Sequence, residues 1–134
     1  DNEAVSKKGV IRGLHFQRPP FAQTKLIRVI EGVILDVIVD LRKTSETVGK
    51  VFSIELSAEN KRQLLVPKGF AHGYATLSDT ATVLYKVDQY YNKNYDTGIH
   101  PLSNNLSIDW VVKPILSKKD QNLPEYSAFN SPFK

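Results

Sequence analysis

Val33-Ile34-Leu35-Asp36-Val37-Ile38-Val39-Asp40-Leu41 is the stretch whose reading decides the fold class. It is β-branched and alternates. Val33, Leu35, Val37, Val39 and Leu41 share one face, and Ile34, Asp36, Ile38 and Asp40 the other, which is the pattern of a strand. Shorter runs of the same character lie at Val10–Phe16, Leu26–Ile30, Val51–Leu56, Gln63–Val66, Tyr74–Leu77 and Thr82–Tyr91. Turn formers separate them: Pro19-Pro20, Glu31-Gly32, Val48-Gly49, Pro67-Lys68-Gly69 and Ser78-Asp79. Many short strands at close spacing predict an all-β sandwich or barrel, such as an antiparallel jelly roll. Helical signals are confined to single turns. Ser57-Ala58-Glu59-Asn60 can be capped by Ser57, and Ser117-Lys118-Lys119-Asp120 has the shape of a capping box, with Pro124 to stop it. The polar tail Glu125–Lys134 reads as irregular.

The 134 residues suit one domain, large enough for a core without disulfide staples. There is no cysteine, which excludes disulfides, thiolate metal sites and thiol nucleophiles. The net charge of +4 comes from 18 Lys and Arg against 14 Asp and Glu, scattered along the chain. A nucleic-acid binder concentrates its charge along one face. A small anionic ligand fits this distribution better, and no nucleic-acid partner is expected. The longest apolar stretch is interrupted by Asp36 and Asp40 and falls short of the roughly 20 residues of a membrane span, so no membrane partner is expected either. A cytoplasmic location is the default expectation.

Without cysteine, chemistry falls to the three histidines, the tyrosines and the charges near them. His15 sits in Gly9-Val10-Ile11-Arg12-Gly13-Leu14-His15-Phe16-Gln17. A histidine inside an apolar strand is commonly a hydrogen-bonded core residue. Arg12 argues otherwise, because it is costly in such a strand unless something anionic awaits it. Strict alternation puts Arg12 and His15 on opposite faces, but Gly13 can host a bulge that re-aims one of them. His72 follows a turn, flanked by Gly69 and Gly73. It either satisfies a turn carbonyl or stands beside a functional group. His100, before Pro101, reads as structural. There is no His-x-His pair and no nearby carboxylate to complete a facial triad, so no catalytic metal is expected. Tyr85, Val87, Gln89 and Tyr91 have one strand parity, so Tyr85 and Tyr91 can enter one cavity, or else simply fill a barrel. Lys25 doubles as a strand-edge charge, and Asp120 as part of the Ser117 cap. The residues amount to a possible His/Tyr/Lys acid–base set, with no reaction specified.

Taken together, they resemble the dTDP-4-dehydrorhamnose 3,5-epimerase family. The resemblance is carried by Gly9–Gln17, Pro19-Pro20, Ala22-Gln23 and Lys25-Leu26, then by Asp36-Val37, Val39–Arg42 and Leu56–Leu64. It continues through Pro67, Gly69–Gly73, Leu77–Asp79, Tyr85-Lys86, Tyr90–Asn92, Ile108–Trp110 and Ser117–Asp120. It implies a cupin-type jelly roll (a double-stranded β-helix) with one or two helical turns, one domain over residues 1–134, a homodimer, and no metal or other cofactor. The implied substrate is dTDP-4-dehydro-6-deoxy-D-glucose, on the route to dTDP-L-rhamnose. Its C4 ketone makes the C3 and C5 protons acidic enough to be removed to an enolate and returned on the opposite face. By this resemblance His15 is the base, Asp120 the carboxylate paired with it, Tyr85 the general acid and Lys25 the cation near the enolate oxygen. A free imidazole titrates near neutral pH, which suits a base.

Arg12, His72 and Lys119 match contacts to the nucleotide-sugar, and Tyr91 the aromatic residue that stacks on thymine. Asp1 and Asn2 match a nucleotide-contact motif, and Asp96 stands where the family usually has glutamate. The family also carries a further segment before this point, so an N-terminal portion is expected to be missing here. Other activities stay open: a C3- or C5-only epimerase or ketoisomerase of the same family, a truncated non-catalytic cupin that binds a nucleotide-sugar, or a metal-dependent cupin oxygenase.

Overall fold

In the computed structural model, which describes residues Asp1–Lys134, both faces of the Val33–Leu41 stretch are buried, and this dictates a layered architecture. The strands are β1 (Asn2–Lys7), β2 (Ile11–Gln17), β3 (Lys25–Glu31), β4 (Val33–Asp40), β5 (Val51–Ser57), β6 (Gln63–Val66), β7 (Phe70–Thr76), β8 (Thr80–Val87) and β9 (Asp96–Gly98). A short helix, α1 (Lys118–Gln121), and a 3-10 turn at Tyr126–Ala128 follow. The strands form two antiparallel sheets, one in the order β1-β8-β3-β6 and the other β5-β4-β7-β2-β9. Apart from the β4–β5 hairpin, consecutive strands cross between the sheets, as in a cupin-type jelly roll, so the expected all-β class and its helical turns are borne out.

Ile34 and Ile38 of β4 point between the sheets and join Ile27, Val29, Leu56, Val66 and Val83 in an inner core. Val37 and Val39 point the other way and meet Ile11, Leu14 and Phe16. That outer layer is covered by the C-terminal segment through Ile99, Leu106, Trp110 and Phe133. The tail is therefore irregular, as expected, yet packed. The ring of Phe16 meets those of Phe129 and Phe133 edge-on at 5.5 and 5.6 Å. Burying one such ring stabilises by roughly 2–3 kcal/mol.

Some boundaries differ from the sequence reading. β7 begins at Phe70, so His72 lies inside a strand, and Gly69, at φ +93°, takes the turn. β8 ends at Val87, so strand parity does not reach Tyr91. β1 and β9 are poor in apolar residues and owe their conformation to pairing with β8 and β2 at sheet edges. Ser57–Asn60 forms a capped turn without becoming a helix: the Asn60 N–H donates to Ser57 Oγ at 2.9 Å and the Ser57 N–H to Asn60 Oδ1 at 3.0 Å.

β4 ends on a buried carboxylate. Asp40 accepts from Arg42 Nε and Nη2, both at 2.9 Å, and from Ser45 Oγ and Thr47 Oγ1, both at 2.6 Å. The Arg42 guanidinium holds the Asp40 carboxyl well below the usual carboxylate range, with the Ser45 and Thr47 hydroxyls adding to it against the effect of burial. A depressed folded pKa stabilises above the unfolded value and fades as pH falls through the folded one. Asp40→Ala is expected to lower stability by about 2–3 kcal/mol at neutral pH. In urea unfolding, its stability should also fall less steeply than that of the parent below roughly pH 4. Equal acid slopes would count against the ion pair as the cause.

Candidate active site

The site begins with an irregularity in β2. Arg12 pairs with Tyr74 and His15 with His72, so Gly13 and Leu14 together stand against Gly73 alone. This is a β-bulge. Gly13 has φ +125°, and a Cβ there would lie 2.7 Å from both Gly73 Cα and the His72 carbonyl oxygen. No other residue type fits such a position without displacing β7. The extra residue inverts the parity of the strand. Ile11, Leu14 and Phe16 all face the outer layer, and Arg12 and His15 share the inner side. The expected opposition of Arg12 and His15 is thus corrected, and the bulge at Gly13 is the reason.

Asp120 arrives from α1. Its N–H donates to Ser117 Oγ at 3.1 Å, completing the cap through the main chain. Its carboxylate is left free for β2. Oδ2 accepts the Gly13 N–H at 3.1 Å, and Oδ1 lies 2.6 Å from His15 Nε2. Burial acts to raise the pKa of Asp120. The hydrogen bond and charge of His15, the Gly13 N–H and Lys119 outweigh it, and the net shift is downward. An ionised carboxylate only accepts, so His15 Nε2–H donates to it, and in a neutral ring the lone pair is then on Nδ1.

His15 lines a cavity of about 230 Å³ between the sheets. The facing wall comes from the other sheet: Asn2 on β1, Lys25 on β3, and Tyr85 with Val87 on β8. Burial lowers the Lys25 pKa from its ordinary value, while the charges of Asp96 and Asp36 act to raise it. Burial also raises the pKa of Tyr85, with Tyr74 adding to the effect, so its hydroxyl keeps its proton at neutral pH. Lys25 Nζ sits 5.9 Å from the centre of the Tyr85 ring. Tyr91, Asp96 and Lys119 complete the rim, where Lys119 Nζ donates to Asp96 Oδ2 at 2.7 Å. That hydrogen bond raises the Lys119 pKa. Larger clefts exist, one beside Arg18 and Tyr95, but none gathers an acid–base set.

The remaining sequence-predicted residues are placed elsewhere. His72, paired with His15 across β2 and β7, is buried and off the cavity wall, its Nε2 2.6 Å from Asp36 Oδ1. Arg12 donates to Ser6 Oγ at 2.9 Å and to the Val5 carbonyl at 3.3 Å, beside the cavity but not on its wall. Asp1 is exposed and paired with Lys86 at 3.0 Å. His100 Nδ1 accepts the Leu102 N–H, a structural role. No three His, Asp and Glu side chains converge anywhere, so no residue set is assigned to a metal ion. Sequence reasoning missed Asp36, whose signal was a carboxylate between Ile34 and Ile38 on one strand face, and Gln17 and Gln23, whose partners are main-chain groups that only folding brings close.

A jelly roll that sets a histidine–carboxylate pair on one wall and a protonated tyrosine with a lysine on the other is of a class equipped for acid–base chemistry on a small polar molecule. Comparison with known proteins narrows this. The family model described as dTDP-4-dehydrorhamnose 3,5-epimerase matches residues 1–128. The dTDP-4-dehydrorhamnose 3,5-epimerase of Shigella flexneri is 50% identical over 123 residues, covering 91% of this chain and 68% of that protein. The crystal structure of the enzyme of the same name from Elizabethkingia anophelis superposes with a TM-score of 0.94 at 49% identity, covering 96% of this chain and 72% of that one. A dTDP-6-deoxy-D-glucose-3,5-epimerase from Legionella pneumophila, solved in complex with dTDP-4-keto-L-rhamnose, gives 0.94 at 40% identity, covering 99% of this chain and 73% of that one. The chain belongs to the dTDP-4-dehydrorhamnose 3,5-epimerase family, and with it to the isomerases that invert carbohydrate stereocentres.

Gly13→Ala is expected to cost about 2–4 kcal/mol in urea unfolding, since it forces a strained φ and a clash with β7 together. A variant of undiminished stability would mean that the bulge is not fixed by this glycine.

Proposed function

We propose that this chain epimerises C3 and C5 of dTDP-4-dehydro-6-deoxy-D-glucose and that His15, Asp120, Tyr85 and Lys25 carry the reaction. The observation that bears most weight is the placement of His15, paired with Asp120, and the protonated Tyr85 on opposite walls of one cavity.

Each half-reaction breaks a C–H bond beside the ketone. The proton passes to His15 Nδ1, and the electron pair flows into the enolate, leaving negative charge on the C4 oxygen. Asp120 holds the ring in the tautomer that exposes Nδ1 and stabilises the imidazolium as it forms. Lys25, in a desolvated setting, places its positive charge beside the enolate oxygen, where a preorganised cation acts more strongly than in water. The Tyr85 hydroxyl then delivers a proton to the carbon from the other face, so the centre inverts. Exchange with solvent returns the imidazolium and the phenolate to their starting forms.

The rim suits a nucleotide diphosphate. Lys119 presents a cation, Tyr91 an aromatic face and Asn2 a polar contact. Arg12, His72, Asp1 and Asp96 complete the proposed binding set. Asp1 directly precedes the lining residue Asn2, and Arg12 is hydrogen-bonded to β1 through Ser6 and Val5. His72 acts through Asp36.

His15→Asn is expected to reduce kcat by roughly a thousandfold or more, because the base is lost. Tyr85→Phe should separate the two steps. In D₂O it should still exchange the C3 and C5 protons through His15, but with retention. If Tyr85→Phe inverts both centres at the parental rate, Tyr85 is not the acid.

The reading includes a homodimer, formed on the outer face of the sheet β1-β8-β3-β6, where Val5, Ile30 and Leu65 are exposed. Apolar groups gathered on one sheet face are a common mark of an interface. Sedimentation equilibrium should give twice the chain mass for the parent and a shift toward monomer for Leu65→Glu. A monomeric parent would refute the dimer.

A further inference from the structure

Gln17 ends β2 two residues after His15 and is 3% exposed. Its carboxamide makes three hydrogen bonds, all to main chain. Nε2 donates to the Phe21 carbonyl at 2.8 Å and to the Tyr90 carbonyl at 3.2 Å, while Oε1 accepts the Asn92 N–H at 2.9 Å. Two carbonyls require the nitrogen and one N–H requires the oxygen, so a single amide orientation satisfies all three. The Tyr90 carbonyl and the Asn92 N–H belong to the two peptide planes on either side of Tyr91. Gripping both fixes the backbone of Tyr91 as a neighbouring strand would. Gln23 adds a hold slightly earlier in the chain, with Nε2 donating to the Gln89 carbonyl at 2.7 Å.

Tyr91 has need of such a clamp. β8 ends at Val87, so no ladder supports it, and the residue is 66% exposed with no aromatic ring stacked on it. Its side chain nevertheless lines the cavity. A loop that must order itself around a ligand loses affinity to that ordering, and one already held does not.

We propose that Gln17 is a positioning residue for nucleotide recognition: it holds Tyr91 as a preformed platform for a flat ring and ties that platform to the strand that bears His15. Specificity for the nucleotide and placement of the sugar against the base then share one buried amide. The proposal rests on the reading of Tyr91 as the base-stacking residue.

Calorimetric titration of the chain with dTDP tests both. Tyr91→Ala should weaken binding roughly tenfold, the scale of one lost base–aromatic stack. Gln17→Met keeps the length of the side chain but not its amide, and it should weaken binding by a similar factor. The double variant should bind no worse than Tyr91→Ala alone, because the clamp acts only through Tyr91. Amide exchange at Asn92 should quicken in Gln17→Met while β4 and β7 keep their protection, which separates a local release from general unfolding. Gln23→Met, which removes only the Gln89 bond, should give a smaller loss in the same direction even if Gln17→Met folds poorly. If Tyr91→Ala binds dTDP normally, the stacking reading falls and the proposal with it. If Tyr91→Ala weakens binding while Gln17→Met and Gln23→Met do not, or if the losses simply add, the proposal alone is overturned.

Discussion

The carboxylate of Asp120 receives two donors from β2, the N–H of Gly13 and Nε2 of His15, more than a hundred residues away in the chain. Almost every other feature of the site presupposes this contact. It orients the ring of His15 and satisfies the main-chain donor that the bulge withdraws from the β2–β7 ladder. It also anchors the C-terminal segment whose Trp110 and Phe133 cover the outer layer. A carboxylate this buried is tolerated because its donors are fixed and one of them is an imidazole able to take a positive charge. The dyad and the outer core are therefore one construction: Phe16 packs outward under the tail and His15 points inward from the next position along the strand.

The space between the sheets is divided. Ile27, Ile34, Ile38 and Val83 fill one end with hydrocarbon. The other end holds Lys25, Tyr85, His72 with Asp36, and the Lys119–Asp96 pair. Placing charges next to a dry core shifts their equilibria in useful directions. Burial keeps the Tyr85 hydroxyl protonated and lowers the pKa of Lys25, while Asp96 and Asp36 help that lysine keep its charge. Tyr85, His15 and Lys25 thus stand around one small volume.

Much of this was legible in the residues. The alternation of Val33–Leu41 pointed to a strand with one apolar face and one shared by isoleucines and aspartates, and the spacing of the other runs to an all-β sandwich or barrel such as a jelly roll. Arg12-Gly13-Leu14-His15 carried the hint of a bulge, because a glycine between two polar residues in an apolar strand is a natural place to break parity. Tyr85 was marked by its strand parity. The role of Tyr91 in the cavity was expected from the same parity but has a different cause, since β8 stops at Val87 and hydrogen bonds from Gln17 and Gln23 hold the loop beyond it. His72 was read as following a turn and lies inside a strand, because pairing with β4 carries β7 back to Phe70 while β2 joins it at His72.

The sequence by itself determined the local facts: which stretches extend, where glycine and proline interrupt them, and which side chains are capable of acid–base work. These depend on steric preference and side-chain periodicity, which act over a few residues. Only the tertiary structure decided which of those side chains meet. The 2.6 Å contact of His15 with Asp120, the facing of His15 by Tyr85 and the grip of Gln17 on both peptides of Tyr91 all join segments far apart in the chain. No local propensity encodes such distances. They arise when burial of the two apolar layers brings the sheets together and leaves each buried polar group to find a partner within reach.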